Sequence, residues 1–364
     1  MTAVKKVIVA LGAILVWTAI PAVSANAVSI GQTCTKTALG TRVSIQVNKK
    51  PVVVVCRTVA GRKKWIRAAV QTLVTTTTST STTSTSSTST TVPESVLNFI
   101  DAIDPIDPNL HTLTIENQRP RTYRLVVPDS YNSQVPTPIL FAFHGLGGSA
   151  ATFENALQLP LFSQGMNFIL VTPNGWGSEA GSQNSWNAGR CCAPSNNNGI
   201  DDVFFVKAIL QSVSRKYLVD SSRIWAMGFS NGGMMSYRLA CEVSEKFSAI
   251  AVGGGALVVD SCSPPHPVSI IHLHGNQDST IPIDGGGPFI IPPVINAFKQ
   301  VNTANECSAM QFVVTLESNS ESTSAICVDG TEAKLINYFD QAHNWPSYWT
   351  KDMIKFLFAH PRKP

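Results

Sequence analysis

Arg223-Ile224-Trp225-Ala226-Met227-Gly228-Phe229-Ser230-Asn231-Gly232-Gly233 reads as a short apolar strand running into a tight turn and then a helix. Gly228-Phe229-Ser230-Asn231-Gly232 fits G-x-S-x-G, a spacing with a steric logic. A nucleophilic serine needs a sharp, strained turn that lifts its Oγ clear of a sheet, and such a turn brings flanking residues against backbone, where glycine fits. Met234, Met235, Leu239 and Ala240 give the following helix an apolar side.

Working outward, strands and helices alternate. Leu110–Ile115 and Thr122–Val127 are predicted as a hairpin, Ile139–Phe143 as a buried strand, Ala151–Gln164 as a helix and Phe168–Thr172 as the next strand. Trp176–Gly199 reads as a long loop, and Ile200–Tyr217 as a helix with Asp201 and Asp202 at its N-terminus. Strands follow at Ala249–Gly253 and Val268–His274, a helix at Pro293–Val301, strands at Phe312–Leu316 and Lys334–Phe339, and a closing helix at Trp349–Phe358. This alternation predicts an α/β fold, a mostly parallel sheet covered by helices on both faces.

A serine nucleophile needs a base, an orienting acid and an oxyanion hole. Asp278 follows the strand Val268–His274, where groups at the carboxyl end of a parallel strand meet ligand. Its rivals are Asp260, which comes early beside Cys262, and Asp284, in a Gly-rich stretch. Of the histidines beyond Asp278, His360 ends the last helix as a solvated cap, while His343 lies in a loop able to fold back over the turn. His343 is therefore the expected base. His272 and His274, at i and i+2 on one strand, face one way without a third metal ligand and read as buried and hydrogen-bonded. His144 reads as structural; His111 and His266 show no context. Asn231 supplies one expected oxyanion N–H, and Leu146, with Gly147 as rival, the other, from His144-Gly145-Leu146-Gly147-Gly148.

Six motifs occur in one order: His144-Gly145-x-Gly147-Gly148, Trp186-Asn187-Ala188-Gly189-x-Cys191-Cys192, Ile200-Asp201-Asp202-Val203, Gly228 to Met234, His272-x-His274-Gly275-x-x-Asp278, and His343-x-Trp345-Pro346. The chain from about Leu110 to His360 resembles the secreted polyhydroxybutyrate depolymerase and feruloyl esterase family, similar to carbohydrate esterase family one. The resemblance implies an α/β-hydrolase fold and a serine esterase without cofactor, with Ser230 as nucleophile, Asp278 as acid and His343 as base. It departs in Asp284–Pro293 and in the N-terminal part. Expected substrates are hydroxycinnamoyl or acetyl esters of polysaccharide, or hydroxyalkanoate esters, with Trp176, Trp186 and Trp345 as candidates to stack on them. The competing class is a surface binding protein that reuses the fold without turnover.

Residues 1–27 read as a secretory signal, with Lys5 and Lys6, a short apolar run and Ala25-Asn26-Ala27 as cleavage site. No later stretch is expected to span a membrane. Secretion makes the eight cysteines legible as disulfides. The expected pairs are Cys34 with Cys56, Cys307 with Cys327, and Cys191 and Cys192 with Cys241 and Cys262 in either order. No C-x-x-C spacing suggests zinc.

Charge divides the chain. Residues 28–71 carry nine Lys and Arg and no acid, whereas all 23 acidic residues lie from Glu94 on, against 16 Lys and Arg there. Residues 28–74 are read as a small β module stapled by a disulfide, with Val43, Ile45 and Val47 alternating as in a strand. Its expected partner is an anionic cell-wall polymer rather than nucleic acid. Residues 75–91 are Ser and Thr only and read as an extended linker. Residues 92–364 form the expected catalytic domain.

Overall fold

The computed structural model describes residues 42–47, 50–59, 62–67, 99–116, 118–177, 183–305, 313–317, 319–327 and 329–363. The signal, the linker, Cys34 and Cys307 lie outside them. The chain divides into two units, Met1–Thr91 and Val92–Pro364.

In the first unit, β1 (Arg42–Val47), β2 (Lys50–Val59) and β3 (Arg62–Arg67) form an antiparallel sheet in that order, with Arg42 opposite Val55 and Cys56 opposite Trp65.

The second unit is built on one eleven-stranded sheet. Its centre is parallel: β8 (Ile169–Pro173), β7 (Thr137–Phe143), β9 (Val219–Phe229), β10 (Ala249–Gly253), β11 (Ser269–Gly275) and β14 (Glu332–Tyr338) lie side by side. Antiparallel strands finish both edges. β6 (Arg121–Val126), β5 (Leu110–Ile115) and β4 (Phe99–Ile103) extend one side; β13 (Ser320–Ile326) and β12 (Val313–Leu316) extend the other.

Strands β7, β8, β10 and β11 are buried along their whole length because both faces of the sheet are covered. Side-chain parity sorts them into two cores. Ile139, Phe141 and Phe143 of β7 and Ile224 and Ala226 of β9 pack with α3 (Asp202–Lys216), α4 (Asn231–Glu242) and α5 (Val294–Ala304). Leu140, Ala142, Trp225 and Met227 point the other way, to α1 (Ala150–Leu157), α2 (Leu159–Met166) and α6 (Ser347–Ala359).

Two local expectations change. The single helix predicted over 151–164 is two helices: Gln158 turns left-handed at φ 53°, and Pro160 sits in the first turn of α2. Strand β13 (SESTSAI), between edge strand β12 and β14, escaped the sequence reading because it carries no apolar run; its middle residues are only half-buried.

The expected bridges from Cys191 and Cys192 to Cys241 and Cys262 are not formed. Cys191 is bonded to Cys192, and Cys241 to Cys262. The second pair ties α4 to the stretch after β10, with its Cα atoms 4.9 Å apart. Cys327 is disulfide-bonded. No helix among the described residues is long and apolar enough to cross a membrane.

Candidate active site

Four loops that leave the carboxyl ends of parallel strands meet at one place: after β7, β9, β11 and β14. Ser230 caps α4 at φ 54° and ψ −118°, a conformation that costs energy in a non-glycine residue and lifts the side chain off the sheet. Its amide donates to the Gly253 carbonyl at 2.8 Å, and its own carbonyl accepts from Met234 at 3.0 Å to start α4. The flanking glycines are sterically required. A Cβ on Gly228 would stand 2.3 Å from the Gly232 backbone, and one on Gly232 2.1 Å from the Phe143 oxygen.

His343 Nε2 lies 2.9 Å from Ser230 Oγ. On its other side, Nδ1 lies 2.6 Å from Asp278 Oδ2. Asp278 is 4% exposed, and its Oδ1 accepts from the amides of Thr280 at 2.9 Å and Ile281 at 2.7 Å. Burial works to raise this carboxyl, but the hydrogen bonds from His343 and the Ile281 amide, with the nearby His343 and His274, outweigh it and hold the group below its ordinary range. The acid and base loops are held together: the Gln277 amide donates to Gln341 at 3.0 Å, and a Cβ on Gly275 would stand 2.0 Å from the same carbonyl oxygen. The rival Asp260 is an exposed partner of Arg190.

The turn after β7 is rigid. His144 Nδ1 donates to the Gly145 carbonyl at 2.7 Å, and Nε2 accepts the Gly175 amide at 3.0 Å. Burial lowers His144 to about 4, so the ring stays neutral. The Gly147 amide donates to Asn184 at 2.7 Å and that of Gly148 to Gly145 at 3.0 Å, which leaves Leu146, 45% exposed, as the oxyanion candidate on this turn. The Asn231 side chain clamps Trp186 from both sides, accepting its amide at 2.7 Å and donating to its carbonyl at 3.0 Å.

Trp186 is not presented to substrate. It has no exposed surface, its indole N–H donates to the His144 carbonyl at 2.9 Å, and its ring packs edge-on against Phe143. It braces the turn from behind. Trp345 is half-buried, edge-on to Phe229 and Phe153. The sequence reading also gave His111 no role; it is buried between Asp101 and Tyr123, joining β4 to β5 and β6.

His272 and His274 are fully buried and hydrogen-bonded, as expected. Tyr237 Oη, His272 Nδ1 and Nε2, and His274 Nδ1 follow one another at 2.7 and 2.9 Å, and His274 Nε2 reaches the Ile281 carbonyl at 2.7 Å. Burial lowers both rings. Among the described residues no group of three His, Cys, Asp or Glu could hold a metal ion.

A family described as phospholipase/carboxylesterase matches residues 130–289. The chain is 35% identical over 173 residues to a probable feruloyl esterase C of Aspergillus flavus, covering 46% of this chain and 58% of that protein. It is 35% identical over 172 residues to feruloyl esterase C of Emericella nidulans, with the same coverage. It thus spans somewhat over half the length of these curated relatives. The solved acetyl xylan esterase from Aspergillus awamori superposes with a TM-score of 0.50 at 19% identity, over 72% of this chain and 99% of that one, a likeness of fold. The second unit thus shares the α/β-hydrolase fold and resembles proteins named feruloyl esterase over the residues matched.

Proposed function

We propose that the chain is a secreted carboxylic-ester hydrolase working through an acyl-enzyme on Ser230. The observation that carries this reading is the continuous line from Ser230 Oγ through His343 to Asp278, at 2.9 and 2.6 Å. His343 Nε2 takes the Ser230 proton as Oγ attacks the ester carbonyl carbon. Asp278 accepts Nδ1–H, which fixes the tautomer and stabilises the imidazolium that forms. The N–H groups of Leu146 and Asn231 hold the oxyanion. The imidazolium then protonates the departing alkoxide, and a water deprotonated by His343 releases the acid.

The substrate class we favour is an acyl ester of a polysaccharide. Its support is the likeness to proteins named feruloyl esterase and the half-buried Trp345 ring beside the His343 loop; hydroxyalkanoate esters are the second reading. The basic N-terminal module would hold the enzyme on an anionic cell-wall polymer. Turnover of p-nitrophenyl acetate, methyl ferulate and hydroxybutyrate oligomers by the purified mature chain tests the assignment. Ferulate turnover supports the favoured class, oligomer turnover alone replaces it, and no turnover of any ester refutes the hydrolase reading.

A further inference from the structure

We infer that Tyr237, His272 and His274 form a directional hydrogen-bond series that positions the acid of the proposed site through Ile281. The inference rests on the ester-hydrolase reading of Ser230, His343 and Asp278. Its direction follows from one fixed point. The Ile281 carbonyl only accepts, so His274 Nε2 carries the proton of their 2.7 Å bond. With both rings neutral in their buried setting, His274 Nδ1 is then an acceptor and His272 Nε2 the donor at 2.9 Å. His272 Nδ1 is left to accept, and Tyr237 Oη–H donates to it at 2.7 Å. One placement of protons satisfies every bond.

Ile281 is where the series meets the site. Its amide donates to Asp278 Oδ1 at 2.7 Å, while its carbonyl is drawn toward His274. Its side chain, 1% exposed, sits in an apolar cluster with Cys191, Cys192 and Met234. His274 Nε2 also stands 3.5 Å from Asp278 Oδ2, the oxygen that faces His343. The residue that holds Asp278 is thus itself held on three sides. Three polar side chains buried in a largely apolar core are costly unless fully paired, and here the pairing ends on the loop that orients the acid. His274 is therefore a positioning residue.

The test uses the full mature chain with His274→Phe, His274→Gln and Tyr237→Phe. Phe keeps a ring but removes the donor to Ile281; the Gln carboxamide restores one. His274→Phe is expected to lower kcat on p-nitrophenyl acetate ~10–100-fold with KM within about twofold, the scale seen when groups orienting a reactive ligand are lost. His274→Gln should recover most of that loss, and Tyr237→Phe should fall between them. A second readout needs no turnover: the low-field proton resonance of the His343–Asp278 hydrogen bond should shift or broaden in His274→Phe and Tyr237→Phe and return in His274→Gln. Lower melting temperatures with unchanged kcat and an unchanged resonance would overturn the inference. Should His274→Phe not fold, Tyr237→Phe decides by the same two readouts. If the wild type hydrolyses no ester, the hydrolase reading fails, and the resonance alone upholds or overturns the positioning series.

Discussion

A Cβ on Gly232 would stand 2.1 Å from the carbonyl oxygen of Phe143. That oxygen is backbone at the carboxyl end of β7, a strand paired on both sides, so it cannot swing aside. Gly232→Ala is expected to cost about 3 kcal/mol, the upper end for overpacking. It should also move Ser230 off the line to His343, so activity per folded molecule falls as well. Urea unfolding and ester turnover measured together check this. Wild-type values of both would mean that the turn is looser than described.

The disulfides give a second outcome. Non-reducing peptide mapping should find Cys191 joined to Cys192 and Cys241 to Cys262. Replacing Cys241 and Cys262 by Ala opens a bridge spanning 21 positions, a closure worth about 3 kcal/mol in the chain-entropy account. A cross-link from Cys191 or Cys192 to Cys241 or Cys262 would contradict the arrangement.

The contrast between these pairings and the site shows what was legible in the sequence. Ser230, Asp278 and His343 were readable because each follows a recognisable apolar strand, and chain order then limits which Asp and His can meet. The core sheet was readable for the same reason. Cysteine pairing has no such local signal: it depends on where the 183–199 loop lies in space, and bonding between neighbours is invisible to arguments from loop length. Trp186 misled because an aromatic in a loop suggests a wall for substrate, whereas its indole is turned inward to the His144 carbonyl. β4, at one edge of the sheet, and β13, one strand in from the other, are only partly buried, so their periodicity is weak.

Acid should weaken the fold through the buried imidazoles. His144 titrates near 4 when folded but near 6.5 when unfolded, and His272 and His274 are lowered in the same sense. Unfolded chains therefore bind protons that the folded chain does not as pH falls below about 6.5. Stability is full above that value and declines toward the folded values, by about 3 kcal/mol for His144 alone. Asp278, held below its ordinary range, stays ionised in that window, and its contribution is lost only under more acid conditions. Urea unfolding at pH 8, 6.5 and 5 should show a fall between the last two; a flat profile would mean that these rings are not buried neutral.

The basic module should act through its charge. Residues 28–71 carry nine Lys and Arg without an acid, and exposed charges are screened once the Debye length falls to about 10 Å or below. The mature chain is expected to adsorb to isolated anionic cell wall and to be released by salt. A chain starting at Val92 should keep its kcat on a small ester and lose adsorption. Equal retention of the two, or retention indifferent to salt, would reduce the module to a spacer.

The central claim is that Ser230, activated by His343, is the nucleophile. The direct measurement is labelling with an active-site-directed organophosphonate, located by peptide mass mapping, alongside ester turnover by Ser230→Ala. The expected result is one adduct, on Ser230, absent from Ser230→Ala, with kcat in that variant lower on the order of a millionfold. No adduct, an adduct on another residue, or more than a few per cent of wild-type turnover in Ser230→Ala would contradict it.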